Sequence, residues 1–225
     1  MTSFCKLKES ITISKQEICR EILHKNRDAI KVKNETVAIT NLMRIFEATL
    51  ELSNQVGFQA MSVRELSKRT KLSMGALYSY VESKERLLCM LLQYGGALGH
   101  RSRQLPEHVS ENSRDRLLAS IKLHIYLTET YQSWFFFIYM QAKFFNKKTL
   151  ARIVQEEEIS EAYYQKILED GCQAGEMKID NTILTASSII ALLQDWYLKR
   201  EKYRKLAVSA EQYADFVCDL ITVKL

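Results

Sequence analysis

The chain is expected to fold from helices alone. Its 225 residues hold one proline and seven glycines, too few breakers for the many turns of a sandwich or barrel. Apolar residues recur at i, i+3 and i+4 along nearly the whole length, the repeat of a helix with one buried face. Serines stand where such stretches begin, twice with a Glu or Gln three residues on, which is the pattern of a capping box. At 47% hydrophobic the chain can bury one or two real cores.

Residues 1–34 form a basic helical extension. Ile18, Ile22 and Leu23 give residues 14–26 an amphipathic stretch, flanked by Lys25, Arg27, Lys31 and Lys33. Two readings stand side by side. A solvated, partly frayed arm suits residues 1–14 better. A basic extension that touches nucleic-acid phosphates, or packs on the helices that follow, suits Lys31 and Lys33 better.

A helix over 35–56 buries Leu42, Ile45, Phe46, Thr49 and Val56, and Gly57 with Phe58 ends it as a glycine stop and an apolar anchor. Ser62 with Glu65 starts the next helix, Ser73 caps a short third, and Ser83 caps a fourth with Glu85 in its first turn. Leu66, Leu72 and Leu77 read as a small core holding the second and third at an angle. Leu87, Leu88, Leu91 and Leu92 give the fourth its apolar face, and Gly95-Gly96 is expected to fray or bend it. Residues 99–112, with Pro106, read as a hinge. Beyond it, helices are expected near 114–130, 134–145, 147–174, 181–202 and 210–223, with Asp180 and Ser209 as caps and Ser209 with Gln212 as a second capping box.

Two short helices about one turn apart, the second rich in small and aromatic residues, describe a helix-turn-helix that enters the DNA major groove. Gly75 and Ala76 keep the groove-facing side narrow. Glycine within a helix costs ~1 kcal/mol relative to alanine, so Gly75 wants a reason. Close approach to DNA is one, and tight packing on the preceding helix is the other. Tyr78 and Tyr80 carry hydroxyls suited to phosphate oxygens, Lys84 carries a neutralising charge, and Ser62 with the N–H groups behind it forms an anion site. The net charge of +5 suits such a partner only weakly.

The run Leu72-Ser73-Met74-Gly75-Ala76-Leu77-Tyr78-Ser79-Tyr80, followed by Ser83-Lys84-Glu85, resembles the tetracycline-repressor (TetR) family of transcriptional regulators over residues 37–98. That resemblance implies an all-α protein with a three-helix helix-turn-helix domain at 35–98. A larger helical effector-binding and dimerisation domain at 113–225 would follow. It implies that Ser62, Arg64, Ser73, Met74, Gly75, Ala76, Tyr78, Ser79, Tyr80 and Lys84 meet DNA, the third helix reading bases and its tyrosines with the lysine clamping the backbone. The chain departs from the family at Lys71, where a turn glycine is usual, and at Ser79 and Val81, where His and Phe are common.

The run from Trp134 to Met140 is apolar on every face and is therefore expected to be buried all round. In the family a helix there lines the effector cavity. Trp134, Phe137, Met140, Gln141, Phe144, Tyr163, Asp195 and Trp196 are the expected ligand-binding residues, and the absence of basic residues on that turn favours a small, mostly apolar effector. Gln141 and Asp195 are read equally as satisfied buried hydrogen-bonders and as ligand-orienting groups. The stretch 191–206 with the closing helix, through Tyr213, Phe216, Val217 and Leu220, resembles the helix pair that dimerises family members, which implies a homodimer that meets a palindromic operator in double-stranded DNA. The basic run Lys199, Arg200, Lys202, Arg204 and Lys205 is a solvated helix end.

Enzymatic and metal functions are not expected. The lone Glu21-x-x-His24 lacks the second such motif that a di-iron bundle requires, and the five scattered cysteines lack zinc spacing and point to a reducing cytoplasm. No cofactor is implied and no stretch reads as a membrane span. The alternative to an effector pocket is a redox-responsive regulator using Cys89 or Cys172, although Cys172 sits beside acidic residues that blunt its reactivity.

Overall fold

The computed structural model describes residues 15–104 and 111–222, and among these it contains eleven α-helices, one 3-10 turn and no strand. They are α1 Lys15–Lys25, α2 Glu35–Val56, α3 Val63–Thr70, α4 Met74–Tyr78, α5 Lys84–Gln104 and α6 Ser113–Thr130. Then come α7 Gln132–Gln141, the 3-10 turn Ala142–Phe144, α8 Lys147–Gln173, α9 Thr182–Leu198, α10 Arg200–Lys205 and α11 Ala210–Thr222. The all-α expectation holds. Of the described residues, 15–98 and 136–150 form one compact unit, and 99–104, 111–135 and 151–222 form the other. Expectations for residues 1–14 and for Pro106 lie outside the described residues.

In the first unit, α1 packs on α2 and buries Ile18, Cys19, Ile22 and Leu23. Asn26, 1% exposed, donates from its amide to Ile22 O at 2.7 Å and to Gln93 Oε1 at 2.8 Å, which ties the end of α1 to α5. From residue 15 onward the extension is therefore part of the core, and the solvated-arm reading does not apply to it. Burial pushes the Cys19 thiol up to about 12, with Glu47 adding to the shift.

Asn34 caps α2 by accepting from the Val37 N–H at 3.1 Å. Gly57, at φ 89°, closes it with its N–H on Ser53 O at 2.9 Å, a conformation L side chains avoid. Leu42, Ile45, Phe46 and Thr49 are buried as expected, but Val56 is 52% exposed. It continues the stripe of Thr49 and Ser53 into the last turn, where that stripe is no longer buried. The helix does not fray at Gly95-Gly96: α5 runs unbroken to Gln104, with Leu91, Tyr94, Gly95 and Leu98 buried.

The second unit is built around α6, against which α9 and α11 pack. Leu117, Ile121 and Ile125 of α6 meet Leu168 of α8, Ile189, Leu193 and Trp196 of α9, and Val217 of α11 in one core. Trp196 stacks on Tyr213 with ring centres 4.9 Å apart and lies 5.2 Å from Tyr203. The Arg200 guanidinium sits 4.5 Å from the Trp196 ring centre and forks onto both Glu129 carboxylate oxygens at 2.8 and 2.9 Å.

Local start signals fare unevenly here. Ser209 and Gln212 form the expected capping box, Gln212 N–H to Ser209 Oγ at 3.1 Å and Ser209 N–H to Gln212 Oε1 at 2.8 Å. The cap of α9 is Asn181, which accepts from Leu184 N–H at 2.9 Å, rather than Asp180. The helix expected over 181–202 breaks at Lys199, whose φ −109° and ψ 29° leave the helical region before α10 begins.

The aromatic run is not buried all round. Phe137, Ile138 and Gln141 are buried, whereas Tyr139, Met140 and Phe144 are 52%, 44% and 55% exposed. With only one face docked, an all-apolar surface leaves the opposite side open.

Candidate nucleic-acid interface

Short-range hydrogen bonds assemble the helix-turn-helix. Ser62 Oγ accepts from Glu65 N–H at 3.1 Å while Glu65 Oε2 accepts from Ser62 N–H at 2.8 Å and from Ser62 Oγ at 2.7 Å. These bonds hold the Glu65 carboxyl below its ordinary range. The Ser62 N–H and hydroxyl are thus both engaged by the Glu65 carboxylate.

The turn after α3 is pinned by Ser67 Oγ donating to Leu72 O at 2.6 Å, and by Arg44 donating to Thr70 O at 2.6 Å. Lys71, where the family resemblance expects glycine, takes the left-handed conformation at φ 56° and ψ 26°. A side chain there carries strain of about 1 kcal/mol. Ser73 then caps α4, its Oγ accepting from Ala76 N–H at 3.1 Å. Leu66 and Leu77 are buried in the angle between the helices, while Leu72 is only half-buried.

α4 presents Met74 and Tyr78 outward at 38% and 46% exposure, beside exposed Ser73 and Gly75 and half-buried Ala76. A Cβ added at Gly75 would meet nothing within 4 Å. Tight packing is thereby removed as the reason for the glycine. Arg64 is exposed on the first turn of α3.

Three expected DNA contacts point elsewhere. Tyr80 is 2% exposed and its hydroxyl accepts from Asn41 Nδ2 at 2.8 Å, so it fastens the end of α4 to α2. Ser79 Oγ donates to Ala76 O at 2.6 Å and completes the end of its own helix. Lys84 Nζ donates to Gln59 O at 2.8 Å and Met61 O at 2.9 Å, and lies 5.2 Å from the Phe58 ring centre. Burial lowers its pKa against an opposing pull from Glu85. Lys84 thus braces the connection between α2 and α3. Sequence reasoning missed Asn41 and Arg44 because nothing local marks a partner so far along the chain.

The expected effector residues divide. Phe137 is fully buried, with ring centres 5.7 Å from Phe58 and 6.1 Å from Phe145, and Gln141 Oε1 accepts from Phe58 N–H at 3.1 Å. Both serve the unit that contains α2 to α4, and Gln141 takes the satisfied-hydrogen-bond reading. Met140 and Phe144 are exposed. Trp196 is filled in on both faces by the tyrosines and Arg200. Burial raises the Asp195 pKa, but bonds from Lys199 and Tyr203 outweigh it and hold the carboxyl low. Asp195 therefore also belongs to a local network.

Trp134 and Tyr163 stand in a different setting. The Phe135 ring centre lies 5.0 Å from that of Trp134, 5.3 Å from Tyr197 and 6.1 Å from His124; Trp134, Phe135 and His124 are half-buried and Tyr197 is buried. Burial, aided by Arg103, pushes His124 down to about 4, so its ring is neutral at pH 7. Tyr163 shares a hydrogen bond with Ser120 Oγ at 2.9 Å. On α11, Tyr213 and Val217 face the chain's own core, which corrects their expected place in a dimer contact, whereas Phe216 and Leu220 are 59% and 45% exposed.

Among the described residues no group of His, Cys, Asp and Glu could hold a metal ion, and no helix is long and apolar enough to cross a membrane. Residues 45–89 match the family of bacterial regulatory proteins, tetR family, and residues 110–221 match the tetracyclin repressor-like C-terminal domain. The chain belongs to the TetR family of transcriptional regulators. Over 50 residues this TetR-family chain is 46% identical to the "Uncharacterized HTH-type transcriptional regulator YuxN" of Bacillus subtilis (strain 168), a match covering 22% of this chain and 17% of that protein. Its fold is similar to the crystal structure of FadR from Bacillus subtilis in complex with stearoyl-CoA, at TM-score 0.66 and 17% identity, over 81% of this chain and 98% of that one. AibR in complex with isovaleryl coenzyme A and operator DNA is similar at TM-score 0.67 and 20% identity, over 80% and 97%.

Proposed function

We propose that this TetR-family chain is a repressor that grips a palindromic DNA site as a two-fold dimer and is released by a small, mostly apolar effector. The observation that carries the DNA half is Gly75, a helix glycine with open space beside it on the exposed face of α4. A residue that weakens its helix without serving internal packing is explained by what must approach it. Phe216 and Leu220, one helical turn apart and both exposed, support α11 as the dimer contact.

The effector half rests on the half-buried rings of Trp134 and Phe135, the latter against buried Tyr197 and a neutral His124. Such a lining favours an acyl or aromatic ligand, and acyl-CoA ligands in FadR and AibR are of the first kind. An effector weakens DNA binding only by preferring the conformation whose two readers misfit the groove. The redox alternative rests on Cys89 and Cys172, which are half-buried, whereas Cys19 and Cys218 are buried with thiols pushed up to about 12.

The test is selection of duplexes from a random-sequence pool by the purified chain, followed by challenge of the enriched site with acyl-CoA thioesters. Enrichment of a palindrome, its release by a thioester and quenching of tryptophan emission are the expected results. A pool that never enriches would overturn the DNA half. An enriched site released only by peroxide would overturn the effector half.

A further inference from the structure

The segment between α1 and α2 holds Lys31 and Lys33, which the sequence marks either as phosphate contacts or as part of an extension packed on the helices that follow. The Lys31 N–H donates to Ser79 O at 2.9 Å, and Ser79 is the C-cap of α4. The segment is therefore fastened by its backbone to the end of the helix that enters the groove, one residue from exposed Tyr78. It is also held on either side. Ala29 and Ile30 are each 2% exposed, Arg27 donates to Val32 O at 2.7 Å, and Asn34 is committed to capping α2.

Between those anchors Lys31 and Lys33 are exposed while Val32 is half-buried. The two ammonium groups are thus carried two residues apart on the exposed part of the segment. Neither makes an ion pair among the described residues. The acids that flank the two lysines in the chain pair with other residues, Asp28 with Arg86 at 3.1 Å and Glu35 with Arg20 at 3.1 Å. Two lysines with fixed backbones and unneutralised charge thus stand beside the end of α4.

We propose that Lys31 and Lys33 bind backbone phosphates of duplex DNA next to the phosphate reached by Tyr78, each subunit adding two ionic contacts to those made by the helix-turn-helix. This rests on α4 being the DNA-reading helix. It takes over the phosphate-clamping part expected of Lys84, whose ammonium is held by Gln59 and Met61. The contacts carry no base information, so they strengthen binding to every sequence alike.

The experiment uses the full chain and a fluorescein-labelled mixed-sequence duplex, followed by anisotropy over a series of KCl concentrations. The double variant Lys31→Gln, Lys33→Gln is compared with wild type and with Lys178→Gln, Lys205→Gln, which removes the same charge from exposed positions of the other unit. Each phosphate contact contributes about 0.9 to the slope of log affinity against log salt. Loss of two per subunit should shrink the ratio of affinities at about 50 and 200 mM salt by roughly tenfold for each reader engaged. The control pair should keep the wild-type ratio. An unchanged ratio in Lys31→Gln, Lys33→Gln, or an equal fall in the control, overturns the proposal while leaving the reader intact. A wild-type chain that binds no duplex overturns the reader assignment and this proposal together.

Discussion

α4 and α7 are both short helices, and they use apolar side chains in opposite ways. α4 leaves Met74 and Tyr78 exposed, keeps open space beside Gly75, and buries Leu77 while Tyr80 fastens its end to α2. α7 sinks Phe137 against Phe58 and gives the amide of Gln141 to a backbone N–H. The first is held in place so that one face stays available. The second is fastened through Phe137, Ile138 and Gln141, while Trp134 and Phe135 stay half-buried and Tyr139 and Met140 exposed. Aromatic density thus does not say which side chains of a helix are buried.

The largest test of that contrast is truncation on each helix. Phe137→Ala should cost about 3–5 kcal/mol of unfolding free energy, because it empties a site lined by Phe58 and Phe145, whereas Met74→Ala should stay within about 0.5 kcal/mol. Urea unfolding of both variants measures the difference. Equal losses would mean that α4 is packed as tightly as α7.

Next in size is Gln141→Leu, which leaves the buried Phe58 N–H without its acceptor. A loss of about 1–3 kcal/mol is expected in the same assay. A neutral result would return Gln141 to the pool of ligand-orienting candidates.

The open end of α7 has its own signature. His124, beside Phe135, titrates near 4 when folded and near 6.5 as a free side chain. A depressed pKa means that the unfolded chain binds the proton first, so stability contributed by neutral His124 is complete above about 6.5 and drains away as pH falls toward 4. His124→Phe should flatten thermal unfolding across that window. An unaltered pH profile would place His124 in contact with water.

The smallest effect expected is at Lys71. Replacing this left-handed residue with glycine should stabilise the chain by up to about 1 kcal/mol, with DNA binding unaltered. A loss instead would show that the Lys71 side chain makes a contact worth more than the strain.

The difference between the two helices also explains what could be read from the residues in advance. The Ser62–Glu65 and Ser209–Gln212 boxes, the Ser73 cap and the Gly57 stop are each decided within about one turn of chain, and all are where the residues place them. Tyr80, Lys84 and Gln141 were misjudged or left open for one reason. Their partners lie 39, 25 and 83 residues away, at Asn41, Gln59 and Phe58, and no local pattern encodes such pairings. Val56 and the outer face of α7 failed differently, since periodicity gives a stripe without saying how much of it finds a neighbour.

The measurement that tests the central claim most directly is Gly75→Ala, followed at once by thermal unfolding and by affinity for a duplex enriched from a random pool. With nothing within 4 Å of the added carbon, the variant should be as stable as wild type or up to about 1 kcal/mol more stable. Its affinity should fall by roughly tenfold or more, since one misplaced contact against a base edge is worth about 1–3 kcal/mol. A variant that loses stability while binding DNA as wild type does would contradict the account, because Gly75 would then serve the fold and α4 would not lie in the groove.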